Sequence, residues 1–342
     1  MHQNAYKLVM IRTAILGASG FVGAELLRLM SAHPALKPSA LFGDSQAGQE
    51  LATVHPQLAL AYPGMTVERF SPEALDGIDL VFAALPHGHS QRIAPQIIDR
   101  DIALVDLGAD FRLADAAEYR RWYGEPHAAP ELLDRFVYGL PEYYRDEIAG
   151  SRTVAAPGCY PTSAILALKP LLPLIDSATI VVDAASGVTG AGRGLKEETH
   201  FNSVAESFSA YGLLGHRHTA EMEMALGGTV LFTPHLLPVN RGILATCYAH
   251  AKGPCDPLAA LAQAYADEPF IHVSERPPAT KWTLGSNAIH LTARYDERTG
   301  RVLAIAALDN LVKGAAGQMI QCANLMFGLD ETAGLPRVGV CP

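Results

Sequence analysis

The stretch Thr13-Ala14-Ile15-Leu16-Gly17-Ala18-Ser19-Gly20-Phe21-Val22-Gly23-Ala24-Glu25-Leu26-Leu27-Arg28-Leu29-Met30 decides the fold of this chain. Residues 13–16 are apolar and read as a short strand. Gly17 through Gly23 form a glycine-rich turn, and residues 24–31 carry apolar side chains at helical spacing. Strand, turn and helix in that order open a dinucleotide-binding unit. Gly17 allows the tight turn, Gly20 lets the backbone approach a pyrophosphate, and Gly23 lets helix and strand pack closely. The unpaired N–H groups of the helix start then face the phosphates.

The rhythm continues downstream. Strands are expected at 39–42, 80–84 and 103–107, and helices at 90–99 and 114–122. Alternation of that kind makes a Rossmann-type, doubly wound parallel α/β sheet. The run Leu80-Val81-Phe82-Ala83-Ala84-Leu85 is apolar without alternation, as a strand buried on both faces should be. Pro86, His87 and Gly88 follow it, at the carboxyl end where such sheets bind cofactor. His87 either touches a nicotinamide or caps its own loop.

A second informative stretch is Ala155-Ala156-Pro157-Gly158-Cys159-Tyr160-Pro161-Thr162. It sets one cysteine between a Pro-Gly turn and a helix, with Pro161 suited to the first turn. Helix-start N–H groups favour the thiolate and can hold an oxyanion. The motif therefore reads either as a nucleophile for an acyl or aldehyde carbon or as a buried structural cysteine. Beside a dinucleotide turn, the first reading implies an oxidoreductase acting on an aldehyde or acyl phosphate.

Beyond Cys159 the pattern changes. Strand-like runs lie at 178–185, 229–233, 242–249, 287–295 and 302–307, with a helix at 258–265. These predict a second α+β domain with a mixed or antiparallel sheet, whose free face is the expected subunit interface. Residues 313–327 read as one helix with a single apolar face that returns to the first domain. The division expected is 1–158 with 313–342 for the dinucleotide domain and 159–312 for the catalytic and oligomerisation domain.

Composition bounds the function. A net charge of −9 and the absence of a basic tract argue against nucleic-acid binding. No apolar run is long enough to span a bilayer, and Met1-His2-Gln3-Asn4-Ala5-Tyr6-Lys7 lacks secretion-signal form. Five widely spaced cysteines show neither zinc-site nor disulfide-framework spacing, so no metal is expected and a reducing cytoplasm is the expected location.

Three further segments carry chemistry. Gly215-His216-Arg217-His218-Thr219-Ala220-Glu221 supplies an acid/base histidine, with Glu221 three residues beyond His218 on the same helical face; its other reading is an exposed polar helix start. Ser186-Gly187-Val188-Thr189-Gly190-Ala191-Gly192-Arg193 either holds an anion or is a plain connection. Arg112, in Asp110-Phe111-Arg112, either binds a substrate anion or pairs with Asp110 or Asp115. Asn310 either reaches the nicotinamide carboxamide or caps a helix.

Taken together these residues resemble the N-acetyl-gamma-glutamyl-phosphate reductases of the semialdehyde dehydrogenase superfamily. The likeness runs from GASGFVGAELLRL at Gly17 through ALPHG, DLGADFRL, YGLPE, APGCYPTSAILALKPL, SGVTGAGR, HRHTAE and FTPHLLPVNRGILAT to ALDNLVKGAAGQMIQCAN at Ala307. It implies an NADPH-dependent reduction of N-acetyl-gamma-glutamyl phosphate in arginine biosynthesis. Cys159 forms the thioester, His218 or His216 is the acid/base with Glu221 in support, and Arg112 and Arg193 take the substrate. Gly17, Ala18, Ser19, Gly20, Phe21, Val22, Gly23, Ser45, Pro86, His87, Gly88, Gly187 and Asn310 take the cofactor. A homodimer or homotetramer is implied. Two positions depart from the family pattern. Gly43-Asp44 stands where a Ser-Arg pair meets the NADP 2′-phosphate, and Asp44 would repel that group while Ser45 remains to bind it. Gly108 stands where a serine is usual. The alternatives are a reductase of another acyl phosphate, aspartyl or aminoadipyl, and an inactive binding protein of the same fold.

Overall fold

The computed structural model describes residues 10–341. Met1 through Val9, of which residues 1–7 are read above for a secretion signal, and Pro342 lie outside the described residues. The first sheet is built from β1 (Ile11–Leu16), β2 (Leu36–Phe42), β3 (Leu80–Ala83), β4 (Ala103–Asp106), β5 (Val137–Tyr138) and β6 (Thr153–Ala155). The strands are all parallel, in the order β2-β1-β3-β4-β6-β5. The order reverses between β1 and β3. The glycine turn after β1 and the Pro86–Gly88 loop after β3 therefore flank the crevice in which such sheets bind ligands.

α1 (Phe21–Met30) begins three residues earlier than the apolar pattern placed it, straight after the turn. Gly17 has φ +83°, a conformation other residues rarely adopt, and a side chain on Gly23 would come within 2.6 Å of the Ala18 α-carbon. The short α2 (Leu51–Val54) is followed by α3 (Ser90–Ile98), α4 (Ala116–Tyr123) and α5 (Pro141–Ala149). α1 packs one face of the sheet through Leu26, Leu27 and Met30, while α3 packs the other through Ala94 and Ile97.

α6 (Cys159–Leu168) follows β6 and is buried from Tyr160 to its end. It lies against the second sheet, made of β7 (Ile180–Gly187), β8 (Ser209–Ala210), β9 (Val230–Leu237), β10 (Ile243–His250), β11 (Ile271–Val273), β12 (Ile289–Asp296) and β13 (Arg301–Leu308). Their order is β11-β12-β13-β10-β7-β9-β8, with β7–β9 and β11–β12 parallel and the rest antiparallel. One face is buried beneath α6, α8 (His218–Leu226) and α9 (Pro257–Ala264); the other leaves Leu231 and Tyr248 exposed. The short α7 (Phe201–Val204) lies in the long connection between β7 and β9.

The tail is not one regular helix. Residues 312–316 form a π-helical turn, and α10 (Gly317–Met326) continues from it. The wide turn seats Lys313 in the interior, where it meets Glu142 of α5 and Gln321 of α10. Met319, Ile320 and Ala323 join the core beneath α1.

Candidate active site

Cys159 opens α6, with Gly158 as its N-cap in extended conformation. The residue is partly buried. The expected drop in its pKa is not what the surroundings produce. Burial pushes the thiol up to about 11, and the charge of Arg112 and the N–H of Tyr160 offset only part of that. At rest the sulfur is protonated, and a thiol in that state acts as a nucleophile only with a neighbouring base.

His218 lies against the residue before the cysteine. A side chain built on Gly158 would meet the His218 ring at 2.7 Å from Cδ2 and closer still to Nε2. The imidazole thus packs directly on the residue before the cysteine. Burial, then the charges of His216, Arg112 and Arg217, hold His218 well below the usual imidazole range. It is neutral at neutral pH and able to accept a proton, and no titration near neutrality remains to it. His216 is lowered to about 4, mainly by burial, and faces Tyr160, Tyr211 and Phe232 edge-on. Its Nδ1 accepts the backbone N–H of His218 at 3.2 Å. The ring shapes the turn that presents His218.

Glu221 does not orient His218 by hydrogen bonding, since the two lie 4.0 Å apart. The buried carboxylate instead accepts from Arg112 Nη1 at 2.8 Å, Gly158 N at 2.9 Å and Tyr138 Oη at 3.1 Å. It pins the backbone of the cysteine turn. Arg112 is buried and its Nη1 is engaged by Glu221, and it pairs with neither Asp110 nor Asp115. Its second nitrogen donates to the Leu107 carbonyl at 2.6 Å. Asp110 holds Gly88 N and Gln91 N and lies 2.9 Å from His87 Nδ1, while Asp115 caps α4. At Gly108 a side chain would collide with Ser90 Oγ, which donates to Asp106 at 2.7 Å. A serine hydroxyl thus occupies the place from the start of α3.

The cofactor half lies alongside. Gly20 caps α1 without a side chain and leaves the first-turn N–H groups open. Next to this turn is a cleft of about 480 Å³ lined by Phe21, His55, Thr189, Arg193 and Arg241, among others. An open helix start beside such a cleft fits a dinucleotide. Arg193, expected at the substrate, donates instead to the Ser19 carbonyl of the glycine turn at 2.8 Å. Gly187 has its N–H engaged by Gly242, and Asn310 uses its amide on Gly242 and Thr189. Asn310 is therefore not a helix cap. Ser45 is exposed beyond β2, next to Asp44. Sequence reading missed Arg69, whose guanidinium lies 3.8 Å from Asp44. The strand-like bridge between Phe42 and Glu68 brings it there, and nothing local in the sequence announces that pairing.

Comparison with known proteins settles the family. Residues 12–151 match the family described as semialdehyde dehydrogenase, NAD binding domain, and residues 159–310 match semialdehyde dehydrogenase, dimerisation domain. The N-acetyl-gamma-glutamyl-phosphate reductase of Moorella thermoacetica is 46% identical over 97% of this chain and 100% of its own length. That of Desulforudis audaxviator is 48% identical over the same shares, and that of Pseudomonas aeruginosa 42% over 97% of this chain and all of its own. The chain belongs to the N-acetyl-gamma-glutamyl-phosphate reductase family. Membership makes it a nicotinamide-dependent oxidoreductase of the semialdehyde dehydrogenase group. The family's fold extends to aspartate semialdehyde dehydrogenase II of Vibrio cholerae, with TM-score 0.70 and 17% identity over 93% of this chain and 98% of that one. The Candida albicans aspartate semialdehyde dehydrogenase solved with NADP has TM-score 0.64 at 17% identity, over 93% of this chain and 98% of its own. Among the described residues no helix is long and apolar enough to cross a membrane, and no cluster of three metal-ligating side chains occurs.

Proposed function

We propose that this chain reduces N-acetyl-gamma-glutamyl phosphate to N-acetylglutamate 5-semialdehyde, with release of phosphate, as a step of arginine biosynthesis. The observation that carries this reading is the packing of the His218 ring on Gly158, beside a cysteine that opens a helix and next to an uncapped dinucleotide turn. The names of relatives at 42–48% identity supply the substrate.

In this reading the Cys159 proton passes to Nε2 of His218 as Sγ bonds to the acyl carbon. The carbon–oxygen bond to phosphate breaks, and its electron pair leaves on the phosphate. The helix-start N–H groups steady the developing oxyanion. Glu221 keeps the turn in register through Gly158 N. The nicotinamide, when bound, supplies hydride to the acyl carbon. His218 returns its proton to the sulfur as the product departs.

NADPH is the cofactor we favour over NADH, with Arg69 offsetting the charge of Asp44 and Ser45 left to bind the 2′-phosphate. Gly17 to Gly23 and Pro86 to Gly88 are read as the cofactor cradle. The dinucleotide domain is read as 1–158 with 313–342, and the catalytic domain as 159–312; the burial of Met319 and Ile320 beneath α1 supports this division. The exposed Leu231 and Tyr248 face of the second sheet is read as the contact of a homodimer or homotetramer in the cytoplasm.

The direct test runs the reaction backwards. Phosphate-dependent oxidation of N-acetylglutamate semialdehyde is measured with NADP and NAD side by side. Turnover that requires phosphate and is faster with NADP supports the proposal. Absence of turnover, with activity on an aspartyl or aminoadipyl semialdehyde instead, would replace the substrate.

A further inference from the structure

Arg217 separates the two histidines of the site, and among the described residues no carboxylate lies within ion-pair distance of it. The other arginines around the cleft are committed. Arg112 is bound to Glu221 and the Leu107 carbonyl. Arg241 is bound to Glu25 at 2.7 Å and Asp309 at 3.4 Å. Arg193 lies on the glycine turn. The Arg217 guanidinium is exposed and held over the ring of Tyr123, 5.2 Å from the ring centre. That aromatic floor orients the fork without neutralising it. The Tyr123 hydroxyl is buried with no hydrogen-bond partner among the described residues. Tyr123 also stacks on His87, of the loop after β3, at 4.5 Å between ring centres. Arg217 and Tyr123 thus stand between the cofactor-side loop and the histidine that packs on Gly158. The charge of Arg217 is felt across this span, helping to hold down His87, His216 and His218.

A free guanidinium over a tyrosine with a spare hydroxyl, on the residue next to the histidine that packs on Gly158, suits an anion with several oxygens. We infer that Arg217, aided by the Tyr123 hydroxyl, holds the phosphoryl group of the acyl phosphate, and inorganic phosphate in the reverse direction. The inference rests on the acyl-phosphate reading above and names the residue that grips its leaving group. Held there, the phosphate's charge is balanced as the carbon–oxygen bond breaks. The adjacent His218 is held neutral mainly by burial, with the charge of Arg217 a smaller contribution in the same direction.

The test uses the full-length protein and two independent readouts. In the first, Cys159 is alkylated with iodoacetate or iodoacetamide at one pH, with and without inorganic phosphate. The parent should react preferentially with the anionic reagent, and phosphate should protect it. In Arg217→Gln that preference should shrink and the phosphate needed for protection should rise roughly tenfold or more. Arg217→Lys should recover part of both, and Tyr123→Phe should weaken protection by less. In the second readout, the reverse reaction, Arg217→Gln should raise the KM for phosphate and leave the KM for the semialdehyde unchanged. Unchanged protection by phosphate in Arg217→Gln overturns the inference. A raised KM for the semialdehyde alone also overturns it, because the guanidinium would then hold the substrate carboxylate. Phosphate protection that depends on Arg217, without turnover of N-acetylglutamate semialdehyde, upholds the anion site and rejects the substrate.

Discussion

The ring of His218 packs on the α-carbon of Gly158, with no room for even a methyl group between them. The two residues are far apart in sequence, and their contact joins the proposed base to the turn that carries the proposed nucleophile. Gly158 N is in turn held by Glu221, one helical turn beyond His218. Glu221 and His218 of one helix thus both contact Gly158, the residue before the cysteine.

Gly158→Ala should displace the imidazole and leave the sulfur without its base. The expected loss is on the order of 100-fold in kcat, comparable with His218→Asn, since general-base assistance is what disappears. Cys159→Ser should abolish turnover outright while cofactor binding persists. Steady-state kinetics and a cofactor titration check all three. Near-normal kcat in Gly158→Ala would mean the contact has no part in catalysis.

The pH dependence should run against the usual histidine pattern. Both imidazoles are already neutral below pH 6.5, His216 down to about 4. Forward kcat/KM should stay level from about pH 8 to about pH 6. Alkylation of Cys159 should keep accelerating to about pH 10, because the thiol is held up to about 11. Stability has a definite sign. Unfolded histidines bind protons first, so the contribution is full above 6.5 and falls as pH drops from 6.5 toward about 4. Asp106, raised to about 6 by burial, acts in the opposite sense over the same window. His216→Asn should therefore lose less Tm than the parent on acidification. Equal losses would show that His216 is not held neutral.

Features formed by neighbours along the chain are legible in the sequence. β1, the glycine turn and α1 are contiguous, and the start of α6 at Cys159 is written into Pro157, Gly158 and Pro161. What escapes the sequence depends on residues brought together from afar. Arg112 and Glu221 are 109 positions apart in sequence, so the sequence carries no sign of the buried pair they form. The two-residue β5 and three-residue β6 are too short for periodicity to declare. The π turn at 312–316 escapes because its apolar spacing is compatible with an ordinary helix. The rise in the Cys159 pKa escapes because a helix start is visible in sequence and burial is not.

Cofactor choice should turn on Asp44 and Arg69 together. They lie 3.8 Å apart and both are exposed, so their mutual attraction is weak and either can turn to a ligand. Arg69→Gln should weaken NADPH binding with little effect on NADH, narrowing the preference. Asp44→Arg should widen it, by roughly 1–3 kcal/mol if the guanidinium reaches the 2′-phosphate. Dissociation constants for NADPH and NADH in the three proteins decide the matter. Tighter binding of NADH than NADPH by the parent would make Asp44 a ribose ligand and remove Arg69 from the site.

The last prediction concerns the anchor of the tail. Lys313 Nζ lies 2.6 Å from Glu142 Oε1, and their side chains are 0% and 1% exposed. Gln321 accepts a second bond from the ammonium at 2.8 Å. The π turn is what seats this lysine indoors, where the tail crosses α5. Lys313→Met removes the cation and strands a carboxylate in the interior. Such a loss typically costs about 3–5 kcal/mol. Replacing both partners, as Lys313→Met with Glu142→Leu, removes the stranded charge and should restore much of the stability, because the pair itself is offset by its desolvation. Urea unfolding of the parent, the single variant and the double variant measures each step. A chain ending at Asn310 lacks the anchor and the apolar face of α10, and it should not bind cofactor. If Lys313→Met costs under about 1 kcal/mol and the shortened chain still binds cofactor, then the tail is not part of the dinucleotide domain.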